Sequence, residues 1–299
     1  MNRRRTYWHL EGMGRKPSDY DIATSRLLYY PELGYAVKTP VSEWQARYAG
    51  GSGLRCTRWE RFRDPRQTTY AAYVARQERR EIFVDGLLEA ATHTDAQLDP
   101  SWVLTLERLL PVLRYPLHGL QMVAAGAGAL VPGGRVTVAF LFQAADELRR
   151  VQRLAYRMRQ LQDAWPGFGE AAQSVWEDDP IWQPWREIIE RLFAVRDLGE
   201  TFAALNLAVK PIFDEVFFGR FAERGRAAGD DVLHKLFLNL REDGVWHAEW
   251  SRALVEMLVE EDAGNAAFLE DHTGRWRAMA RAAADAMAPL LPAGDDRAS

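Results

Sequence analysis

The stretch Val136–Asp163, VTVAFLFQAADELRRVQRLAYRMRQLQD, is the most regular segment of the chain and predicts one long helix. Apolar residues recur along it at steps of three and four, which is the spacing of one buried helical face. These residues are Leu141, Ala144, Leu148, Val151, Leu154, Met158 and Leu161. We therefore expect an amphipathic helix that buries this face in the core of the protein.

The same stretch carries half of a metal-binding motif. In helical bundles that hold two metal ions bridged by carboxylates, two core helices each carry Glu-x-x-His, which places a carboxylate and an imidazole one turn apart. Glu147 fits this pattern, but the residue three positions later is Arg150. A guanidinium is a permanent cation and cannot bind a metal ion. The predicted helix therefore resembles a ligand helix whose ligand set is broken.

A second segment, Asp243-Gly244-Val245-Trp246-His247, is broken in the opposite way. It keeps His247, but Gly244 stands where the motif needs a glutamate. None of the six histidines of the chain follows a glutamate by three residues. The nearest approach is His234, which follows Asp231. The ligand count therefore argues against a metal centre in this chain.

We consequently expect no catalytic, cofactor-binding or metal-binding residue here, and a structural ion pair between Glu147 and Arg150 in place of a metal ion. One alternative remains open, namely a free-standing di-metal oxidase with an unusual ligand set. Its ligands would be Glu107, Glu147, Glu200 and His247. The sequence favours the ion pair because both paired motifs are incomplete.

Two further candidates for chemistry have structural interpretations. His118 lies between apolar residues beside Pro116, and we expect a hydrogen-bonded core histidine rather than a general base. Cys56 is the only cysteine, and no histidine is near it in sequence, so we expect an inert thiol. A single cysteine excludes an internal disulfide and suits a reducing compartment. With no signal peptide and no membrane span in the sequence, we expect a cytoplasmic protein.

The composition restricts the functional class. The chain has 299 residues, of which 47% are hydrophobic and 27% charged, and its formal net charge is −4. This balance is typical of a soluble globular protein and argues against a nucleic-acid binder. The eleven tryptophans leave a small-molecule binding module as another open alternative, although they are scattered along the sequence.

The remaining patterns are helical. No period-two alternation is long enough for a sheet, so we predict an all-α protein. The predicted helices span 68–91, 101–130 with bends at Pro111 and Pro116, 136–163, 185–195, 200–223 with a kink at Pro211, 231–259 and 265–290. Residues 1–53 are predicted to form an extended N-terminal arm, 54–290 a helical domain and 291–299 a disordered tail. The aromatic-rich arm suits either a partner surface or its own domain.

Four segments, taken in order, resemble the beta subunit of bacterial multicomponent monooxygenase hydroxylases, in the toluene and alkene branch. The segments are Thr6-Tyr7-Trp8-His9-Leu10 with Arg15 to Asp21, Leu113 to Met122, Leu205 to Pro211, and Trp250 to Val255. The resemblance implies a ferritin-like helical bundle without iron ligands. It also implies that the di-iron centre belongs to a partner alpha subunit and that the N-terminal arm extends over partner subunits.

The same resemblance implies an assembly of two alpha, two beta and two gamma chains. This hydroxylase would work with a small coupling protein, a Rieske-type ferredoxin and an NADH reductase. The reaction expected of the whole complex is insertion of one oxygen atom of O₂ into an aromatic ring or an alkene. The expected contribution of this chain is to support the alpha subunit rather than to catalyse the reaction.

Overall fold

The computed structural model describes residues 8–24 and 52–291, and every regular element in these ranges is helical. The all-α prediction is therefore confirmed for this part of the chain. The α-helices are α1 (Asp19–Thr24), α2 (Tyr70–Ala91), α3 (Pro100–Leu109), α4 (Arg114–Leu130), α5 (Gly134–Ala164), α6 (Ala172–Asp178), α7 (Gln183–Ala194), α8 (198–227), α9 (Asp231–Glu261) and α10 (Gly264–Ala286). Short 3₁₀ helices span Trp8–Met13, Trp59–Arg61 and Asp95–Gln97.

The predicted helix over 101–130 is wrong, because the chain forms two helices there. α3 ends at Leu109, a turn follows, and α4 begins at Arg114. Pro111 lies in this turn, where its missing N–H and its ring are incompatible with a helix interior. Pro116 is tolerated because it lies in the first turn of α4, where backbone N–H groups have no helical partner.

Helix α8 is continuous, but it is not α-helical throughout. Its segments Ala203–Val209 and Glu215–Arg220 are π-helical and flank a short α-helical segment, Lys210–Asp214. Pro211 lies in that middle segment and removes one backbone donor, which the surrounding wider turns accommodate. The predicted kink at Pro211 is therefore replaced by two π-helical segments.

The core is built from closely packed helices and aromatic rings. α4 and α5 make the most extensive helix contact. A Cβ atom at Gly128 would lie 2.9 Å from the Cβ of Phe140, so the close approach of these helices requires glycine. Tryptophans fill this core, with Trp182 stacked on Phe217 at 5.4 Å and Trp250 against Phe140 at 4.9 Å between ring centroids.

The helix predicted over 136–163 is confirmed as α5, but its predicted buried face is only partly correct. Leu141 and Leu148 are 51% and 42% exposed, whereas Leu154 and Leu161 are buried. Ala144 is also buried as predicted, but most of the buried positions around it are polar or charged. They are Gln143, Asp146, Glu147, Arg149 and Arg150. The apolar pattern misplaces the face because these charged residues are paired inside the bundle.

Part of the predicted arm packs on its own domain. Leu10, Tyr20 and Asp21 are buried, and Asp21 accepts a hydrogen bond from Arg135 of α5 at 3.2 Å. Residues 1–7 and 25–51 of the arm lie outside the described residues, as do 292–299 of the predicted tail, whereas Leu291 is buried. Within the described residues, none of the helices combines the length and apolar character needed to cross a membrane.

Candidate functional site

The two incomplete motifs meet in the interior of the bundle. Glu147 and Arg150 of α5 are both fully buried, and Arg150 Nη1 donates to Glu147 Oε2 at 3.2 Å. The predicted ion pair is therefore confirmed. From α9, His247 brings Nδ1 to 3.9 Å from Glu147 Oε1. Its Nε2 lies 3.0 Å from Asp146 Oδ2. The residues that the sequence separates by about a hundred positions thus form one cluster.

Helix α8 contributes a second cation and a second carboxylate to this cluster. Lys210 Nζ contacts Glu147 Oε1 and lies 3.3 Å from Asp214 Oδ2. Arg150 Nη1 donates to Asp214 Oδ1 at 2.9 Å, and its other nitrogen donates to the carbonyl of Leu240 at 3.0 Å. Two buried cations therefore neutralise two buried carboxylates. We call Glu147, Arg150, Lys210 and Asp214 the ion-pair cluster.

Sequence reasoning missed Lys210 and Asp214 as members of this site. Lys210 follows the mainly apolar run LNLAV and is one of only four lysines in the chain. A lysine that is preceded by mainly apolar residues and followed by Pro211 is only a weak sign of a buried charge. Asp214 lies one helical turn after Lys210, and their ion pair could be recognised only from the structure.

The electrostatics of the cluster follow from burial and pairing. Burial alone lowers the pKa of Arg150, but the carboxylates of Asp214 and Glu147 outweigh it and raise that pKa above its ordinary value. Burial raises the pKa of Asp214, but Arg150 and Lys210 outweigh this effect and lower it. Burial, assisted by Lys210, lowers the pKa of His247 to about 3. The imidazole is therefore neutral near pH 7, whereas Arg150 and Asp214 stay charged.

A surrounding hydrogen-bond network fixes the cluster. Asp146 Oδ1 accepts from Tyr73 Oη at 2.8 Å and from Gln77 Nε2 at 2.6 Å. Asp243 accepts from Arg149 Nη1 at 2.9 Å and from Gln77 Nε2 at 3.0 Å. These bonds join α2, α5 and α9 through polar groups that are themselves buried. Buried hydrogen bonds of this kind restrain the side chains that make them, although Gln77 Oε1 has no hydrogen-bond partner among the described residues.

The residues present do not fit a di-metal centre. Such a centre needs two Glu-x-x-His pairs and two further carboxylates. Here the ammonium of Lys210 and the guanidinium of Arg150 contact the carboxylates that metal ions would need. A Cβ atom at Gly244 would overlap Asp214 Oδ2, which leaves no room for a glutamate at that position. In residues 8–24 and 52–291, no group of three or more His, Cys, Asp and Glu side chains is arranged to hold a metal ion.

The ligand set of the alternative oxidase is not assembled. Glu147 and His247 come together, but Glu107 accepts a hydrogen bond from the Gly169 N–H at 3.4 Å, outside the cluster. Glu200 accepts from Trp276 Nε1 at 3.1 Å and likewise takes no part in the cluster. The alternative oxidase therefore has only two of its four expected ligands in one place.

Three other residues considered in the sequence analysis, His118, His234 and Cys56, lie outside the ion-pair cluster. The prediction for His118 is wrong, because its side chain is exposed on α4 rather than buried. His234 Nδ1 lies 3.2 Å from the carbonyl oxygen of Ala222. The half-buried Cys56 lies with Sγ 3.8 Å from Glu261 Oε2. Burial, together with that carboxylate, raises the pKa of Cys56 to about 11, as expected for an unreactive thiol.

Comparison with known proteins finds similarity to components of monooxygenase systems. Residues 39–262 match the family model described as methane/phenol/alkene hydroxylase. The subunit beta of the hydroxylase component of the toluene-4-monooxygenase system of Ectopseudomonas mendocina is 33% identical over 96% of this chain and 90% of its own length. The phenol 2-monooxygenase oxygenase component DmpL of Pseudomonas sp. strain CF600 is 27% identical over 88% of this chain and 80% of its own length.

A solved structure supports the same placement. A chain of toluene 4-monooxygenase, solved with toluene in its resting active site, superposes with a TM-score of 0.90 at 32% identity. The match covers 97% of this chain and 98% of that one. Phenol hydroxylase from Pseudomonas sp. OX1 shares the fold, with a TM-score of 0.85 at 21% identity, over 97% of this chain and 88% of that one. The helical bundle expected from the sequence is thereby confirmed.

Proposed function

Because the chain belongs to the methane/phenol/alkene hydroxylase family, we propose that it is the non-catalytic beta subunit of the hydroxylase component of a multicomponent toluene, aromatic or alkene monooxygenase. The likeness to a hydroxylase subunit beta over nearly the whole of both chains supports this role. The observation that carries the non-catalytic part is the ion-pair cluster. Lys210 and Arg150 contact the buried carboxylates of Glu147 and Asp214, and His247 lies beside Glu147, so cations pair with the carboxylates that a catalytic bundle would use to bind metal.

The proposed contribution of this chain is mechanical. In the proposed assembly the alpha subunit holds the di-iron centre, which supplies the oxygen chemistry. This chain binds alpha, stabilises its folded state by mass action and holds the helices around its site in place. The complex as a whole inserts one oxygen atom of O₂ into a hydrocarbon with electrons drawn from NADH.

The proposed partners are the alpha and gamma subunits in an (alpha-beta-gamma)₂ assembly, together with a coupling protein, a Rieske-type ferredoxin and an NADH reductase. Two described helices, α2 and α5, expose large apolar side chains that suit burial against another subunit. They include Tyr70, Ile82, Phe83, Leu141, Leu148 and Tyr156. We place the complex in the cytoplasm, because a lone cysteine suits a reducing compartment.

Metal content and O₂ consumption test this proposal. The chain is purified alone from iron-replete cells and compared with the same chain co-expressed with the proteins encoded beside it. We expect no iron and no NADH-dependent O₂ consumption from the isolated chain, and about two irons per alpha–beta pair in the complex. About two irons in the isolated chain would make it an oxidase in its own right and would contradict the proposal.

A further inference from the structure

A surface groove runs between α9 and α10, and α8 supplies the rest of its lining. Its volume is about 520 Å³, and α9 and α10 both line it at the spacing i, i+3, i+4, i+7 and i+11. The residues of α9 are Ala248, Ser251, Arg252, Val255 and Val259. Those of α10 are Ala266, Leu269, Glu270, Thr273 and Arg277. Because this spacing follows one side of a helix, each wall of the groove is a single continuous helix face.

The groove has the length of about three helical turns. The stretches 248–259 of α9 and 266–277 of α10 are each about 17 Å long at 1.5 Å per residue. The two helices are held together at their short junction, where Asn265 Nδ2 donates to the carbonyl of Leu258 at 2.8 Å. Val259 and Ala266 therefore lie at the junction end of the groove. The two arginines lie toward its other end.

The interior of the groove suits an apolar surface. Leu269 is buried, and Val255 and Val259 are half-buried. Two buried polar residues of the lining already bond to each other, since Asn206 Nδ2 donates to Ser251 Oγ at 2.8 Å. The lining alanines of both helices are exposed, so the groove is open to solvent along its edges. A small ligand is normally enclosed on most of its surface, so this open shape favours a protein segment.

The charged residues of the groove are not paired with one another. Among the residues that the structure describes, Arg252 and Glu270 make no ion pair, and Arg277 donates only to a backbone carbonyl, at 3.3 Å. By contrast Arg275, on another side of α10, pairs with Asp271 at 2.9 Å. Two guanidiniums and one carboxylate give the groove a net positive charge. A complementary partner therefore carries carboxylates opposite the arginines.

We propose that this groove docks an amphipathic helix of a partner subunit, with carboxylates of that helix bound to Arg252 and Arg277. A helix of about three turns fills the length of the groove, and its apolar stripe covers the valines and the leucine. Charge-assisted pairs between guanidiniums and carboxylates fix its direction, with its acidic residues away from the junction of α9 and α10. The inference rests on the proposed function, because the partner is a subunit of the same hydroxylase.

Site-directed photo-cross-linking identifies the segment in the groove. The photoreactive residue p-benzoylphenylalanine replaces Ala266 in the full-length chain, which is co-expressed with the proteins encoded beside it and purified as the complex. Under ultraviolet light we expect a cross-link to a partner helix that carries apolar residues three and four positions apart and at least one Asp or Glu. The same residue at Ala282, which is exposed on another side of α10, is the control and should not give this cross-link.

Charge reversal tests the two arginines. The double variant Arg252→Glu with Arg277→Glu should recover at least about tenfold less of the cross-linked partner, because like charges then face each other. The matched control, Arg275→Glu with Arg224→Glu, changes the net charge equally at exposed positions outside the groove and should recover the partner in full. Both double variants should keep the circular dichroism spectrum of the unchanged chain.

The outcomes separate this inference from the proposed function. If the unchanged chain does not associate with the co-expressed proteins, the proposed function fails, and this inference fails with it. If it associates, three results overturn the inference alone. They are no cross-link from position 266, a cross-link to a second copy of this chain or to a segment without carboxylates, and equal recovery of the partner by the two double variants.

Discussion

Arg150 compensates two buried carboxylates, so its substitution is expected to destabilise the fold. In Arg150→His the shorter, largely neutral side chain leaves Glu147 and Asp214 with Lys210 alone. Removing one partner from a buried ion pair costs about 3–5 kcal/mol. We expect a loss of that size in the free energy of unfolding, measured by urea denaturation. We also expect no di-iron chromophore, because Gly244 still lacks a carboxylate and Lys210 remains in place.

Arg159→His provides the matched control on the same helix. Arg159 is exposed and pairs with Asp163 one turn later, an arrangement that contributes about 0.5 kcal/mol or less. If both variants lose the same stability, the buried position of Arg150 has no special importance. A stoichiometric di-iron spectrum in Arg150→His would show that the ligand count from the sequence is wrong.

His247 gives the fold a defined response to acid. The pKa of a free histidine is 6.5, and burial lowers that of His247 to about 3. Between these values the unfolded chain binds a proton that the folded chain does not, so the free energy of unfolding falls as the pH falls. The contribution of one such group is about 1.4 kcal/mol per pH unit. Above about pH 6.5 the effect is absent, because the histidine is neutral in both states.

We therefore expect His247→Gln to flatten the loss of stability between about pH 6.5 and pH 3. The measurement is urea denaturation at several pH values within this window. The titratable and charged groups that act on His247 include Lys210, Glu147, Arg150, Asp243, Asp146 and Asp214. Burial raises the pKa of Asp146, so this carboxyl makes the free energy of unfolding rise as the pH falls, opposite to the effect of His247. The quantity to compare is therefore the difference between the pH slopes of the two proteins. Equal slopes for both proteins would contradict the prediction.

The sequence predicted half of the site and could not predict the other half. Glu147, Arg150, Gly244 and His247 were recognised because a known ligand spacing was present and visibly incomplete. Lys210 belongs to no such spacing. Its position opposite Glu147 depends on how many residues each turn of α8 contains, and the π-helical turns before it change that number.

Close packing between α8 and α9 depends on Gly244. A Cβ atom there would overlap Asp214 Oδ2, and Asp214 cannot move freely because Arg150 and Lys210 hold it. We expect Gly244→Ala to reduce the free energy of unfolding by about 1–3 kcal/mol. Gly274→Ala is the control, since Gly274 lies on the exposed face of α10 with open space around it. Alanine should stabilise that helix by up to about 1 kcal/mol.

The opposite order of stability for these two variants would show that the contact between α8 and α9 adjusts easily to an added methyl group.

The contacts that α8 and α9 make with α5 explain why periodicity misplaced the buried face of α5. Apolar spacing assumes that charged residues face water, and the assumption fails where Arg149 and Arg150 are paired inside the bundle. Helix existence was therefore predictable from the pattern, whereas the orientation of α5 was not.

The outer surface of α5 offers a test of subunit association. Leu148 is 42% exposed and lies on the side of the helix away from the ion-pair cluster. We expect Leu148→Glu to leave the stability of the isolated chain nearly unchanged and to reduce its recovery with the alpha subunit, because an unpaired charge would be buried at the interface. Leu104→Glu, at an exposed leucine of α3, is the control. Equal co-purification of both variants would exclude the α5 surface from the interface.

The N-terminal arm is a further candidate for a contact with partner subunits. Its described part is held to the bundle by Asp21, which pairs with Arg63 and Arg135. Among the described residues, deleting 1–48 removes α1 and one 3₁₀ helix, and we expect the far-ultraviolet circular dichroism of the chain to change little. Co-expression with the alpha subunit should nevertheless give no stable complex, because the aromatic residues of the arm would no longer cover the partner.

Asp21→Asn separates the two roles of the arm. This variant weakens the attachment to Arg63 and Arg135 but keeps every arm residue that could reach a partner. We expect it to lose some thermal stability and still to co-purify with the alpha subunit. If the shortened chain also co-purifies at full yield, the arm serves its own domain alone. If both variants fail to associate, the anchoring of the arm by Asp21 is itself required to present it to the partner.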